Sequence, residues 1–149
     1  MKRPVFQYKS IYWIAILVNI TVLFLYGNTS YSILASSEIY TGDFISISLI
    51  IITWIFSLIS LFFLIKKHRL SIIIHSVVIV LVILNFLQII FKARSYKGII
   101  KEGHTSEDYM ISSVIYLVIF GIWLVLIQKY KFRDSQVDLQ IEEIGKHTD

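Results

Sequence analysis

The chain has 149 residues, of which 56% are hydrophobic and only 16% charged, with a net charge of +4 and a pI near 9.3. A soluble domain keeps about a quarter of its residues charged, and here the charges gather between long apolar runs, which is the pattern of an integral membrane protein. The chain has no cysteine, which excludes disulfide frameworks, thiolate metal sites and thiol redox chemistry. The basic balance has no recognition module beside it, so no nucleic-acid partner is expected.

Crossing a hydrocarbon core of about 30 Å takes about 20 apolar residues in a helix. Four segments meet or approach that length: 11–26, 44–65, 70–91 and 109–127, none containing Asp, Glu, Lys or Arg. The first is short, and Val5, Phe6 and Tyr8 extend it toward the interface. Its basic start, MKRP, also fits a signal peptide, but no A-x-A site follows, and an uncleaved anchor is the favoured reading. The stretch from Gly27 to Asp43 is rich in Ser, Thr and Gly and reads as a loop, with Asp43 placed to cap the second span. Asn28-Thr29-Ser30 within it matches a glycosylation sequon, as does Asn19-Ile20-Thr21 inside a span.

Between the second and third spans stand Lys66, Lys67, His68 and Arg69, with no Gly or Pro. One helix from Phe44 to Phe91 would be about 72 Å long at about 1.5 Å per residue, with cations near its middle. Each charge at a bilayer centre costs about 2.5–3.5 kcal/mol, so the stretch is expected to be a tight hairpin, with Ser71 as N-cap of the third span. The connection from Lys92 to Asp108 is polar and ends in Thr105-Ser-Glu-Asp108, a relative of the capping box. The tail after Lys129 turns from basic to acidic, and Val137, Ile141 and Ile144 have amphipathic spacing.

Orientation follows the Lys/Arg bias. An inside N-terminus places ten Lys and Arg on the cytoplasmic side (Lys66, Lys67 and Arg69 the main topology determinants) and only Lys92, Arg94, Lys97 and Lys101 opposite. Aromatic residues such as Tyr8, Tyr12, Trp13, Tyr109 and Tyr130 lie near span ends, at headgroup level.

Polar residues inside the spans mark the faces that turn inward. Tyr12, Ala15, Asn19 and Val22 form one stripe. Ser46, Thr53, Ser57 and Ser60 form the second, and Ser71, His75, Val78, Val82 and Asn85 the third. Ser113, Leu117 and Gly121 share a face of the fourth. Asn19, Thr53, Ser57, Ser60, His75 and Asn85 are the candidate intramembrane contacts. His75 fits a proton relay or ligand by type, but no buried carboxylate or second histidine accompanies it, and an interhelical hydrogen bond is the favoured role. An interhelical amide bond is likewise favoured for Asn19 over a polar pathway.

The expected architecture is an all-α, antiparallel four-helix bundle over residues 1–130, both termini cytoplasmic in the plasma (inner) membrane, with a cytoplasmic tail at 131–149. No catalytic set, cofactor or metal site is expected. Neither H-E-x-x-H, G-x-S-x-G nor a P-loop is present, and no span carries the acidic residue of a proton-coupled exporter. The expected role is non-enzymatic: an accessory subunit, or a binding or inhibitory partner of another membrane protein, in contact with lipid and with a membrane partner or a second copy. The alternative is an oligomeric channel or small-solute transporter lined by Asn19, Thr53, Ser57 and His75.

Overall fold

A computed structural model describes residue 6 and residues 8–35, 44–68, 70–95, 99–101 and 104–131. It contains four long helices: α1 (Lys9–Ala35), α2 (Phe44–Ile65), α3 (Ser71–Ser95) and α4 (Ser106–Tyr130). Each is long and apolar enough to cross a membrane, which fits a membrane protein. Two short antiparallel strands, β1 (Ile99–Lys101) and β2 (His104–Thr105), pair within the α3–α4 connection.

The helix bounds differ from the sequence expectation mainly in α1. Residues 27–35, read as loop, continue the helix, and at 27 residues it runs about 40 Å. Local hydrogen bonds keep two hydroxyls of this Ser/Thr-rich stretch satisfied within the helix. The hydroxyls of Thr29 and Ser32 donate to the carbonyls of Leu25 and Asn28 at 2.9 and 3.0 Å, one turn back. Asn28 is therefore a helical residue. Asp43 and Arg69 lie outside the described residues, as does the tail beyond Lys131.

Successive helices are antiparallel neighbours. Rising numbers on α1 meet falling numbers on α2, through Tyr12 with Leu64 and Asn19 with Ser57. Ser60 with His75 and Asn85 with Thr53 do the same for α2 and α3. Ser76 with Gln128 and Phe86 with Tyr116 do so for α3 and α4. The circuit closes between α1 and α4 at one end. There Phe6 bridges to Lys131, the Tyr8 and Tyr130 rings meet edge to face at 5.6 Å, and Phe6 and Ile127 are buried in one cluster.

The α2–α3 hairpin is a Schellman turn built without glycine. Lys67 adopts φ 52°, its N–H donates to Leu64 O at 3.0 Å, and the His68 N–H donates to Phe63 O at 3.1 Å. The His68 and Phe63 rings make the accompanying apolar contact, 5.1 Å apart. A lysine in this left-handed conformation costs about 1–2 kcal/mol relative to the right-handed one. Lys66 and Lys67 are exposed, with their ammonium groups 4.3 Å over Phe62 and 5.3 Å over Tyr12. The expected cap differs. Leu70 N–H donates to His68 Nδ1 at 3.2 Å, whereas Ser71 is buried and its hydroxyl has no hydrogen-bond partner. The box before α4 forms: Asp108 N–H donates to Thr105 Oγ1 at 3.3 Å, and Thr105 N–H donates to the Asp108 carboxylate at 2.8 Å.

Gly27 sets the approach of α1 to α2. A Cβ there would lie 2.9 Å from the Trp54 indole nitrogen. Alanine gains about 1 kcal/mol of helix propensity over glycine, while overpacking costs about 1–3 kcal/mol. Gly27→Ala is therefore expected to lower stability in the native chain and to raise it by about 1 kcal/mol in the Trp54→Leu background. Detergent unfolding of the four chains of this cycle checks the coupling, and an equal effect in both backgrounds contradicts the contact.

Candidate functional site

The bundle interior holds a polar seam. Asn19, Thr53, Ser57, Ser60 and His75 are each 0% exposed and Asn85 only 6%. Serine, threonine and asparagine are small enough to let helices approach closely, and each brings a group that must find a partner in an apolar interior.

Asn19 and Ser57 clamp α1 to α2. The Asn19 amide Nδ2 donates to Ser57 O at 3.1 Å, and the Ser57 hydroxyl lies 3.1 Å from Asn19 Oδ1 and 3.2 Å from Asn19 O. Side chain and backbone of both residues are thereby engaged. Nearer the hairpin, the Tyr12 hydroxyl donates to Leu64 O at 3.1 Å. The interfacial ring expected at Tyr12 is thus also an α1–α2 tie.

Between α2 and α3, Asn85 Nδ2 donates to Thr53 Oγ1 at 3.1 Å and to Leu81 O at 2.8 Å. Thr53 passes its own proton to Leu49 O at 2.7 Å. Every proton and lone pair used here has a defined direction.

His75 joins three helices. Its Nε2 lies 3.3 Å from Trp123 Nε1 on α4, and its Nδ1 lies 3.4 Å from Ser60 Oγ on α2. An indole N–H can only donate, so Nε2 must accept and carries no proton. The imidazole is then neutral with its hydrogen on Nδ1, donating to Ser60. An added proton on Nε2 would face the indole N–H donor to donor. The arrangement suits a fixed interhelical tie.

These six positions are brought to the bundle interior, but as separate ties and not as one cluster. Lys66 and Lys67 lie apart from them, on the exposed hairpin. Sequence reasoning missed Trp123, and the only signal available was that a mid-span indole N–H needs an acceptor. It also missed Gln128, whose amide donates to the Ser76 hydroxyl at 3.0 Å. Three buried hydroxyls, of Ser30, Ser46 and Ser71, have no hydrogen-bond partner; their presence has no structural explanation.

Comparison with protein families, with curated proteins and with solved structures gives no match to this chain. Function therefore rests on the geometry alone.

The two glycines of the long helices differ in their surroundings. Gly27 is required by Trp54, whereas a Cβ at Gly121 would meet nothing within 4 Å. Gly121, expected to turn inward with Ser113 and Leu117, is half-buried instead and borders the face of α4 that carries Val114, Val118 and Val125, which are 47%, 53% and 65% exposed. These residues fall one turn apart on a single stripe.

Proposed function

We propose that this chain is a multi-pass membrane protein that works through helix–helix contacts, as an accessory subunit or a binding or inhibitory partner of another membrane protein. Its docking face is the Val114, Val118, Gly121, Val125 stripe of α4. Gly121 carries the reading. A mid-helix glycine costs about 1 kcal/mol relative to alanine, and among the described residues nothing uses the space it leaves. Small residues on a membrane helix let a second helix come close enough for dense van der Waals contact. The β-branched valines around it add stiff side chains that lose little freedom on docking.

The alternative, a channel lined by Asn19, Thr53, Ser57 and His75, draws no support from this geometry. Those polar atoms are hydrogen-bonded to one another, to the backbone or to Trp123 within one chain.

The molecule is placed in the plasma membrane with both ends in the cytoplasm, on the strength of the cationic hairpin and the Lys/Arg balance. In intact cells a cysteine at His68 is expected to resist an impermeant thiol reagent, while cysteines at Ser36 and Gly103 label. The reverse pattern contradicts the orientation.

Gly121→Leu fills the stripe without touching the bundle interior. It is expected to raise stability in detergent by about 1 kcal/mol, as helix propensity requires, and to abolish co-purification of a stoichiometric membrane partner, with Gly121→Ala intermediate in partner loss. A solitary wild-type monomer, or a partner retained equally by all three chains, overturns the reading.

A further inference from the structure

α1 and α4 touch at the Tyr8–Tyr130 end and part beyond it, leaving a cleft of about 660 Å³ between them. Its walls are Leu17, Thr21 and Leu25 of α1 and Ile119 of α4, and its floor is Val82 and Phe86 of α3. On each wall it runs about 15 Å at about 1.5 Å per residue, from Leu17 to Tyr26 and from Leu126 to Tyr116. Half of a hydrocarbon core of about 30 Å has the same length.

Two of the polar groups that line the cleft are engaged within the chain. The Thr21 hydroxyl donates to Leu17 O at 3.0 Å, and the Trp123 indole donates to His75. The Tyr116 ring stacks on Phe86 with centroids 5.2 Å apart. Among the described residues no charged side chain lines the cleft.

The cleft has room for a slender apolar chain. A methylene is about the size of water, whose share of liquid volume is about 30 Å³, so a chain of about 16 carbons needs about 480 Å³. The lining agrees, because branched and aromatic side chains keep a second backbone at a distance, where glycine, alanine or serine would admit it.

We infer that the α1–α4 cleft is a binding site for one acyl tail of a bilayer phospholipid, resting on the membrane-spanning reading above. The tail lies along the cleft, parallel to the helices, and substitutes for the missing α1–α4 contact. The site faces away from the Gly121 stripe, so lipid and partner do not compete.

The test is photolabelling of the full chain in phosphatidylcholine nanodiscs doped with a phosphatidylcholine carrying a diazirine in its tail, with adducts mapped by peptide mass spectrometry. Adducts are expected to concentrate on Leu25, Ile119 and Ile122, above the level at Ile55 and Ile59 on the outer face of α2. Ile119→Trp narrows the cleft from a half-exposed position and should cut cleft adducts about tenfold, the factor given by about 1.4 kcal/mol of lost affinity. Leu25→Trp does so from the opposite wall, so the result does not hang on one variant folding. Cleft labelling no denser than at Ile55 and Ile59 overturns the site while leaving the membrane reading intact, as does labelling that survives both substitutions in chains with native melting. Occupation of the cleft by a second copy, seen as cross-links between chains at Ile119, overturns it too. Labelling of no helix at all overturns the membrane reading itself. Gly121→Leu should leave the adduct pattern as in the native chain.

Discussion

Polar side chains buried between apolar helices have to hydrogen-bond to one another, and the bundle is organised around that requirement. Hydrocarbon offers no partner for an amide, hydroxyl or imidazole. The apolar effect gives little drive to bring such helices together in lipid, so close packing and interhelical hydrogen bonds must do it. Asn19 with Ser57, Asn85 with Thr53, and His75 with Ser60 and Trp123 supply those bonds at successive levels. Each such bond is worth only about 0.6 kcal/mol on average in a membrane protein, so they fix which faces meet more than they supply overall stability.

The same seam explains where the bundle is open. All the interhelical side-chain hydrogen bonds described join α1 to α2, α2 to α3 or α3 to α4. Between α1 and α4 the described ties are apolar and aromatic and lie at one end, through Phe6, Ile127, Tyr8 and Tyr130. Toward the other end the helices separate and the cleft begins. With polar atoms turned inward, the outer faces present Val, Ile, Leu and Phe, interrupted on α4 by Gly121. Interior contacts, an apolar cleft and the Gly121 stripe thus occupy distinct sides of the same four helices.

Much of this was legible in the sequence, because span length and inward polar stripes are local properties. The 44–65 segment needs no correction, and Asn19, Thr53, Ser57, Ser60, His75 and Asn85 are buried as their 3–4 spacing implies, while Ser46 is only half-buried. Two features were not legible for a physical reason. Residues 27–35 have loop-like composition, yet Ser and Thr hydroxyls can bond back to the preceding turn and remain helical. At the hairpin, nothing marks Lys67 as the left-handed residue, since glycine is the usual signal and is missing. Pairings between helices, such as His75 with Trp123 or Gly27 with Trp54, depend on relative rotation and height, which no single helix encodes.

The protonation state of His75 tests the inward seam most directly. Nitrogen NMR of the reconstituted full chain, labelled with ¹⁵N histidine, distinguishes the three states of the ring at neutral pH. The Trp123 indole donating to Nε2 requires a neutral imidazole with its proton on Nδ1. That tautomer, lost in Trp123→Phe, is the expected result. A ring protonated on Nε2, as the other tautomer or as imidazolium, would show that His75 does not join α2, α3 and α4 in the way described.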